Sequence, residues 1–455
     1  MSERFAVPDQ LTCYFDRPAE PANVHVEVLV PGRLDASALR ESVRSVLAAE
    51  PGLRARRAAA SNWRRSYFWE FPALPDADPL RVTTHADQAE LDEQRDEFLS
   101  MPLSLDSSPL LRFLLTSGPG GDCLILSAHH ARFDGLSCVR LLGDVAADYA
   151  TRPGIAGQAR LPDPGSLTVA ERGRAPAAPG LEVSGEAPPA TAGQARPTRG
   201  WRAWPDRTAR IAPGRERGVR GPLPGYGAHL LSWDGLAVAD RLRLPGASVN
   251  DMLISALMLT VGDWNERREP HRGHGGRIRI TMPVGDRAQA GHAGQWANRS
   301  RLTGVTAQVR SDTRPGELVS EVARQTRHAK EQPGPQVGLA FRILAAAPVP
   351  VAGKQMILRA ALRSAGPLIC DTSLVSNLGQ IQAPAFGAMT ATELWFSTSA
   401  HMPRGLSLGA VTAAGSLRLT FRYRRALFSA SDAAEFAARY VKALDQVASP
   451  EAGQR

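Results

Sequence analysis

Residues 123–139, with the sequence CLILSAHHARFDGLSCV, constrain the fold and the function of this chain more than any other segment. They begin with four apolar residues that favour a buried β-strand, and they end in an apolar pattern that is typical of a helix. Between these two runs lie the adjacent histidines His129 and His130, followed by Asp134 and Gly135. We therefore predict that the strand ends at the histidines and that Gly135 permits a tight turn into the helix.

The paired histidines indicate proton-transfer chemistry. A neutral imidazole can accept a proton from an attacking amine or hydroxyl when its other ring nitrogen fixes the tautomer. Neither histidine adjoins a Ser or Cys, and Ser137 is the first hydroxyl beyond Gly135. An ordinary structural role is one alternative, and a metal site is another, because two His and one carboxylate can bind iron or zinc. Adjacent side chains of a strand point to opposite faces, so His129 and His130 are poorly placed to share an ion, and we expect no metal.

These residues carry a resemblance to a known family. The pattern formed by His129, His130, Asp134, Gly135 and Ser137 resembles the signature of the condensation-domain and CoA-dependent acyltransferase superfamily. That group includes peptide-synthetase condensation domains, chloramphenicol acetyltransferase, and wax-ester and polyketide-associated acyltransferases. The resemblance implies that His130 is the catalytic residue and that His129, Asp134 and Gly135 support the local structure.

The composition limits the class of protein and of partner. A chain of 455 residues suggests two domains, and 43% apolar with 22% charged residues is ordinary for a globular protein. The four cysteines show no paired spacing, which favours a reducing cytoplasm. The first ten residues contain no apolar signal core, and no stretch has the length of an apolar membrane span. The net charge of +9 indicates either an acidic partner or a compositional bias toward arginine, and its dispersion argues against nucleic acid.

The first half of the chain shows further element patterns before it changes character. Residues 23–30 alternate as a strand, and Asp35 is a suitable N-cap for a helix over 36–49. This opening also resembles that of the acyltransferase family. Residues 152–225 are rich in Pro, Gly, Ala and Arg, which is typical of a linker between two halves. We therefore predict an N-terminal lobe at 1–151 and a C-terminal lobe at 226–455.

The second half supplies a helix and a candidate ion pair. Ser248 and Asp251 are spaced like a capping box at the start of an apolar helix. Residues 277–284 alternate as a strand and lead to Arg287. The family resemblance implies that Arg287 pairs with Asp134. A buried carboxylate would need such a partner. The alternative is a surface arginine in a chain rich in arginine.

Residues 371–381, with the sequence DTSLVSNLGQI, provide the candidate oxyanion donors. Ser376 and Asn377 follow an apolar strand pattern, and the segment resembles a family segment near the active-site tunnel. Their hydroxyl and amide groups could hydrogen-bond a tetrahedral oxyanion. A plain turn is the alternative. Near the C-terminus, Ser431 is predicted to cap a final amphipathic helix over residues 432–447.

The resemblance implies an α/β (α+β) fold in which two chloramphenicol-acetyltransferase-like lobes form a pseudo-dimer around a central tunnel. A thioester donor on phosphopantetheine, borne by an acidic acyl or peptidyl carrier protein or by CoA, would enter at one mouth. A small-molecule amine or alcohol acceptor would enter at the other. His130 would act as the base, with backbone N–H groups near Gly135, or Ser137, Ser376 or Asn377, as oxyanion or tunnel groups. We expect no bound cofactor beyond the pantetheine of the donor, and a monomeric protein.

Two functional alternatives remain open. One is an acyl-CoA-dependent O-acyltransferase that forms an ester. The other is a catalytically silent, condensation-like protein that recruits a partner. The intact pair of His129 and His130 argues against the second, because a recruitment protein has no need of the catalytic histidine.

Overall fold

A computed structural model describes residues 2–59, 63–155, 208–215, 225–233, 246–269, 277–285, 300–331 and 338–448. The predicted partner Arg287 and most of the predicted linker at 152–225 lie outside these residues. The ion pair of Arg287 with Asp134 therefore stays a prediction.

The first half of the described chain combines short helices with strands. Its elements are β1 (Ser2–Arg4), α1 (Val7–Phe15), β2 (Asn23–Val30), α2 (Ala36–Ala49), β3 (Arg56–Arg57), β4 (Phe68–Glu70), β5 (Leu80–Thr84), α3 (Gln88–Ser100), β6 (Leu111–Gly118), β7 (Gly121–His129) and α4 (Gly135–Ala150). Asp35 accepts a hydrogen bond from the Ala38 N–H at 2.7 Å, so it is the N-cap of α2 as its sequence position predicts.

The second half is built in the same way. Its elements are β8 (Tyr226–Trp233), α5 (Val249–Arg268), β9 (Arg277–Gly285), β10 (Ser300–Gln308), α6 (Pro315–Glu331), α7 (Leu339–Ala346), α8 (Val351–Ile369), β11 (Ser373–Gln380), β12 (Ala385–Phe386), β13 (Met389–Thr390), β14 (Glu393–Ser397), β15 (Leu406–Ala413), β16 (Ser416–Arg424) and α9 (Ala430–Ala448). Ser248 and Asp251 form the predicted capping box of α5.

One predicted cap is wrong. The last helix begins at Ala430, and its cap is Ser429, two residues before the predicted Ser431. The backbone N–H of Ser429 donates to Asp432 at 3.2 Å, and the N–H of Asp432 donates to the Ser429 hydroxyl at 3.1 Å. This reciprocal pair requires the acid three residues after the cap, and only Ser429 has that spacing to Asp432.

Two mixed sheets organise the fold. The sheet of the first half has the strand order β14-β2-β7-β6-β5, and that of the second half has the order β10-β9-β11-β15-β16-β8. Each contains antiparallel and parallel neighbours, for example antiparallel β2–β7 with parallel β5–β6, and antiparallel β15–β16 with parallel β11–β15. The predicted α/β fold with two mixed-sheet lobes is confirmed.

The second half of the chain contributes one strand to the sheet of the first half. Strand β14 comes from the second half of the chain but pairs antiparallel with β2, with Phe396 opposite Val26. The apolar core of the first half accordingly contains Leu394 and Phe396 beside residues of β2 and β7. The predicted lobe boundaries at 151 and 226 do not account for this strand, because its pairing joins residues far apart in sequence.

Polar contacts also join the halves. Arg422 on β16 is completely buried, and its guanidinium donates to the carbonyl oxygens of Asn23 and Leu99 at 2.8 and 3.1 Å and contacts His25 Nδ1 at 2.9 Å. The same guanidinium lies 4.2 Å from the centre of the Tyr226 ring. Two buried carbonyl oxygens and one imidazole nitrogen of the first half are therefore hydrogen-bonded by the second half, which helps to fix how the halves meet.

Candidate active site

A cavity of about 830 Å³ lies where the two halves meet. Most of its wall is apolar, and a minority of polar side chains converge on it, as is usual for small-molecule sites. These polar side chains come from both halves. They are Thr12, His130, Asp134, Ser248, Asn250, Lys330, Asp371, Ser376, Asn377, Thr398, Ser399, His401 and Arg404.

The local backbone positions the histidine pair at the end of β7. The His129 N–H donates to the Leu110 carbonyl at 2.9 Å, and the His130 N–H donates to the Ala22 carbonyl at 2.7 Å. The N–H of Phe133 then turns back onto the His129 carbonyl at 3.0 Å. The strand is thus held on both sides up to His130, and the chain turns sharply into α4 immediately afterwards.

His130 has one fixed tautomer. Its Nδ1 lies 2.9 Å from the carbonyl oxygen of Phe133, which can only accept, so Nδ1 carries the hydrogen and Nε2 carries the lone pair. Burial lowers the pKa of His130 below its ordinary value of 6.5, although the ring stays partly accessible from the cavity. The residue is therefore a neutral imidazole at neutral pH, which is the form a general base requires.

His129 is completely buried, and the cavity wall does not include it. Its Nδ1 accepts the Ala131 N–H at 3.1 Å, and its Nε2 lies 3.3 Å from Asp16 Oδ2. Burial raises the pKa of Asp16, but His129, the Ala22 N–H and His401 together outweigh that effect and hold it below the ordinary value. The position of His129 fits the predicted supporting role, since it ties the turn to the end of α1.

Asp134 caps α4. Its Oδ1 accepts the backbone N–H of Ser137 at 2.9 Å and the Ser137 hydroxyl at 2.8 Å. The carboxylate also lies at the positive end of the helix dipole. Among the described residues, Ser137 and the N-terminus of α4 therefore stabilise this carboxylate, and the pairing with Arg287 that the resemblance implies stays a prediction. Ser137 lies outside the cavity wall and donates to Asp134, so the structure does not place it as an oxyanion group.

Gly135 is needed for a different reason from the one predicted. It is the first residue of α4, and its φ angle is outside the left-handed region. A Cβ at this position would lie 2.6 Å from Phe396 Cε2 and 2.7 Å from Leu378 Cδ2. The glycine therefore allows strands β14 and β11, both from the second half of the chain, to approach the start of α4 beside His130.

Ser376 and Asn377 also line the cavity, and both lie on β11. The register of β11 against β15 shifts between Asn377 and Gln380, and Gly379 has a φ of +78°. The Asn377 Oδ1 accepts the Gly379 N–H at 2.9 Å, which leaves the side-chain NH2 as the donor group of Asn377. The predicted turn is thus a bulge within a strand, and it presents both candidate donors to the cavity.

A second histidine, which sequence analysis did not identify, also lines the cavity. His401 follows β14, and its Nε2 lies 3.0 Å from the Glu20 carbonyl oxygen, so Nε2 carries the hydrogen. Burial, with Arg404 and Arg422 as further causes, lowers the pKa of His401 to about 3. No motif surrounds this residue in the sequence, and only the pairing of β14 with β2 brings it to the site.

An ion pair forms another part of the wall that sequence analysis did not identify. Arg404 lies 3.6 Å from Asp371, and both residues line the cavity. Arg404 Nε is buried without a hydrogen-bond partner among the described residues. The wall therefore combines neutral imidazoles with a guanidinium that retains donor capacity.

Metal binding and membrane insertion find no support in the part of the chain that the structure describes. These residues contain no group of three or more His, Cys, Asp or Glu side chains arranged to hold a metal ion. Nor do they include a helix whose length and apolar character would allow it to cross a bilayer.

The chain has sequence relatives that match most of its length. No family model matches the chain. Two uncharacterized proteins from two strains of Mycobacterium tuberculosis are each 28% identical to it over 421 residues, which cover 92% of this chain and 93% of each relative.

Solved structures match over nearly the whole chain. The first condensation domain of the calcium-dependent antibiotic synthetase, in complex with a substrate analogue, gives a TM-score of 0.64 at 15% identity and covers 99% of this chain and 97% of its own. A variant starter condensation domain of rhizomide synthetase, in complex with C8-CoA, gives 0.59 at 13% identity, with 98% and 95% covered. The condensation domain of the Monacolin K polyketide synthase gives 0.58 at 13% identity, with 98% and 97% covered. The chain therefore has the two-lobed condensation-domain fold that its resemblance to the condensation-domain and CoA-dependent acyltransferase superfamily predicts.

Proposed function

We propose that this protein is an acyltransferase that moves an acyl or aminoacyl group from a pantetheine thioester to an amine and forms an amide. One observation carries the proposal: His130, fixed as the Nδ1–H tautomer, lines a cavity of about 830 Å³ that both halves of the molecule enclose. The fold supports it, because the solved structures that share this fold include synthetase condensation and epimerization domains.

The geometry suggests a single proton relay. The acceptor nitrogen attacks the thioester carbonyl while His130 Nε2 takes the proton that the nitrogen loses. The tetrahedral adduct then collapses, the carbon–sulfur bond breaks, and the sulfur leaves with the proton that His130 returns. The Nδ1 hydrogen bond to Phe133 stabilises the imidazolium between the two transfers. Because a neutral amine is already nucleophilic, positioning in the cavity contributes alongside the base.

The oxyanion requires hydrogen-bond donors that line the same cavity as His130. The Asn377 amide NH2 and the Ser376 hydroxyl are the groups that we assign to it, because both line the cavity on the bulge of β11. Preorganised donors of this kind contribute most where water is excluded, and removal of one costs about 10²–10³ in rate. No cofactor beyond the pantetheine of the donor is required by this mechanism.

The donor carrier is the second part of the proposal. We favour an acidic carrier protein that bears phosphopantetheine, because the chain has a net charge of +9. The variant starter condensation domain of rhizomide synthetase, which shares this fold, was solved in complex with C8-CoA, and this supports CoA as an alternative carrier of the donor. Free acyl-CoA is therefore the alternative donor, and an alcohol is the alternative acceptor.

The test is acceptor-dependent release of the donor thiol. Purified protein is given the same acyl group on pantetheine, on CoA or on a holo-carrier protein, together with a pool of amines or a pool of alcohols. A thiol-reactive dye measures release, and mass spectrometry identifies an amide or an ester. We expect amide products and release that depends on the acceptor. Ester products alone would replace the proposal with O-acyl transfer. Carrier binding without release in any arm would favour the recruitment function.

A further inference from the structure

A second cavity adjoins the reaction cavity. It has a volume of about 640 Å³, and its wall is formed by Arg17, Pro18, Arg210, Arg359, Leu362, Met402 and Pro403. Three of these residues, Leu362, Met402 and Pro403, also line the reaction cavity. The two cavities therefore share a wall, and we call the second one the arginine cavity.

The arginine cavity has an unbalanced charge. Arg17, Arg210 and Arg359 come from three remote segments of the chain, and no carboxylate of the described residues lines the wall with them. Arg17 lies 3.6 Å from Glu20, outside the wall, so one arginine is partly neutralised there. Three positive charges around one cavity favour the entry of an anion.

A cavity elsewhere in the molecule shows that arginine-rich composition does not explain this arrangement. That cavity, of about 660 Å³, contains Arg277 and Arg314, but Asp312, Glu317 and Glu321 line it with them. Arg314 lies 3.3 Å from Glu317. Carboxylates therefore balance the arginines of this cavity, whereas no carboxylate of the described residues lines the arginine cavity.

The positive charge continues toward the reaction cavity. Arg404, two residues after Met402, lines the reaction cavity. Burial raises the pKa of the Cys370 thiol, which lies on the same wall, while Arg404 and Arg210 both act in the opposite direction. The field of Arg210 therefore reaches the wall along which a donor arm would lie.

We propose that the arginine cavity binds the phosphate at the end of the donor's pantetheine arm, with the arm running past Leu362 and Met402 to His130. The inference rests on the proposed function, since it assigns a subsite to the same donor. Guanidinium groups suit this ligand because they bind phosphate oxygens through paired N–H donors and are weakly hydrated. Arg210 and Arg359 carry the contact, and Arg17 adds to the field.

The phosphate has two chemical sources. It is a diester between pantetheine and a serine of a carrier protein, or it is part of the pyrophosphate of CoA. Both place a negative charge at the same end of the arm, so both fit the arginine cavity. A comparison of phosphopantetheine with CoA and with a holo-carrier protein separates the two sources.

Equilibrium binding tests the inference without turnover. Isothermal titration calorimetry of the full chain with pantetheine and with phosphopantetheine should show tighter binding of the phosphorylated arm, by about tenfold for two charge-assisted contacts at low salt. The Arg210→Ala/Arg359→Ala variant should bind the two arms about equally. Arg314→Ala is the matched control, because Arg314 is exposed at the acid-balanced cavity, and it should keep the wild-type preference.

The outcomes separate the inference from the proposed function. Equal binding of pantetheine and phosphopantetheine by the wild type would overturn the inference, as would an unchanged preference in the double variant. His130→Ala should retain the preference, because it lacks the base and keeps the arginines. If phosphopantetheine binds with the expected preference but no thioester is turned over, the inference stands and the proposed function fails. Tighter binding of CoA than of a holo-carrier identifies the free cofactor as the source, and the reverse identifies the carrier.

Discussion

At the scale of single residues, the site depends on two imidazoles that are both held neutral. His130 donates from Nδ1 to the Phe133 carbonyl, and His401 donates from Nε2 to the Glu20 carbonyl. Each hydrogen bond selects one tautomer, so the lone pair lies on the other ring nitrogen. Burial lowers both pKa values. The two residues nevertheless have different expected roles, because the family resemblance assigns chemistry to His130 alone.

The lowered pKa of His130 predicts the shape of the pH–rate profile. A base whose folded pKa lies below 6.5 remains unprotonated as pH falls to that value. With an acceptor that does not titrate in this range, kcat/KM should stay level from pH 8 to about pH 6.5 and decline only below it. Initial rates across this range provide the measurement. A decline with a midpoint above 6.5 would contradict the neutral-base assignment.

His401 predicts part of the acid sensitivity of the fold. Its pKa is about 3 in the folded protein and 6.5 in its ordinary state, so the unfolded chain binds the proton first as pH falls. Stability is therefore lost on acidification below 6.5. Because His401 is partly accessible, we expect a loss of about 1–2 kcal/mol between pH 7 and pH 5 from this residue.

The His401→Gln variant isolates that contribution. Glutamine keeps a hydrogen-bond donor for Glu20 but does not titrate, so urea unfolding of the variant should show a smaller loss between the two pH values. Asp9 acts in the opposite direction in both proteins, because burial raises its pKa to about 6 and acidification stabilises the fold through it. Parallel stability curves for variant and wild type would show that His401 is not a source of acid sensitivity.

At the scale of elements, two glycines next to the site serve distinct purposes. Gly379 has a φ of +78°, and a Cβ there would meet no atom of the described residues within 4 Å, so its backbone conformation alone requires glycine. Gly135 has ordinary backbone geometry, but a Cβ there would collide with Phe396 and Leu378. The first shapes the β11 bulge, and the second lets the start of α4 contact β14 and β11.

Gly135→Ala should therefore damage both packing and activity. The added methyl must displace Phe396 and Leu378, which costs about 1–3 kcal/mol and shifts the walls beside His130. Gly120→Ala is the control, because a Cβ at Gly120 meets nothing within 4 Å in the described part of the chain. Chemical denaturation and kcat/KM should show losses of stability and activity for the first variant and values near wild type for the second. Equal behaviour of the two would refute the packing role.

Elements and caps were predictable wherever the signal is local. Asp35 and the Ser248–Asp251 pair are recognisable from their spacing alone, because a cap involves only neighbouring residues. The final cap is misplaced because two serines, Ser429 and Ser431, lie at the start of the helix, although only Ser429 has the capping-box spacing to Asp432 that the hydrogen bonds use.

Long-range parts of the site could not be predicted from the sequence. His401 and Arg404 reach the cavity only because β14 pairs with β2, and no periodicity encodes a pairing between residues that lie far apart in the chain. The roles of Asp134 and Gly135 were predicted from a sequence motif, which identifies the residues but gives no information about what they contact. The folded geometry supplied those contacts.

At the scale of the whole molecule, strand β14 and the side chain of Arg422 hold the two halves together. Replacement of Arg422 by Met keeps much of the side-chain volume but leaves the Asn23 and Leu99 carbonyls without their donor in a buried site. We expect a loss of about 3 kcal/mol in the free energy of unfolding. Arg425→Ala is the control, since Arg425 is exposed and contacts Asp96 at 3.1 Å, and it should cost about 0–1 kcal/mol. Similar losses for both would show that the buried contacts of Arg422 contribute no more than the exposed contact of Arg425 with Asp96, which also joins the two halves.

The net charge predicts a salt dependence that differs between donors. With a carrier-borne thioester, opposite charges steer the encounter, and salt screens them over about 10 Å at 0.1 M. The rate with the carrier-borne donor should fall steeply as salt rises, whereas the rate with an uncharged pantetheine thioester should change little. Salt titrations of kcat/KM with both donors provide the comparison. Identical, flat responses would exclude steering of an acidic carrier by the +9 charge of the chain.

Chemical rescue of acyl transfer in His130→Ala tests the role of His130 most directly. The variant should transfer the acyl group at least about 100-fold more slowly than wild type, while its melting temperature stays close to that of wild type. Added imidazole should restore part of the rate in proportion to its free-base concentration, because it occupies the space of the missing side chain. Transfer by the variant at the wild-type rate, with no response to imidazole, would contradict the assignment of His130 as the base.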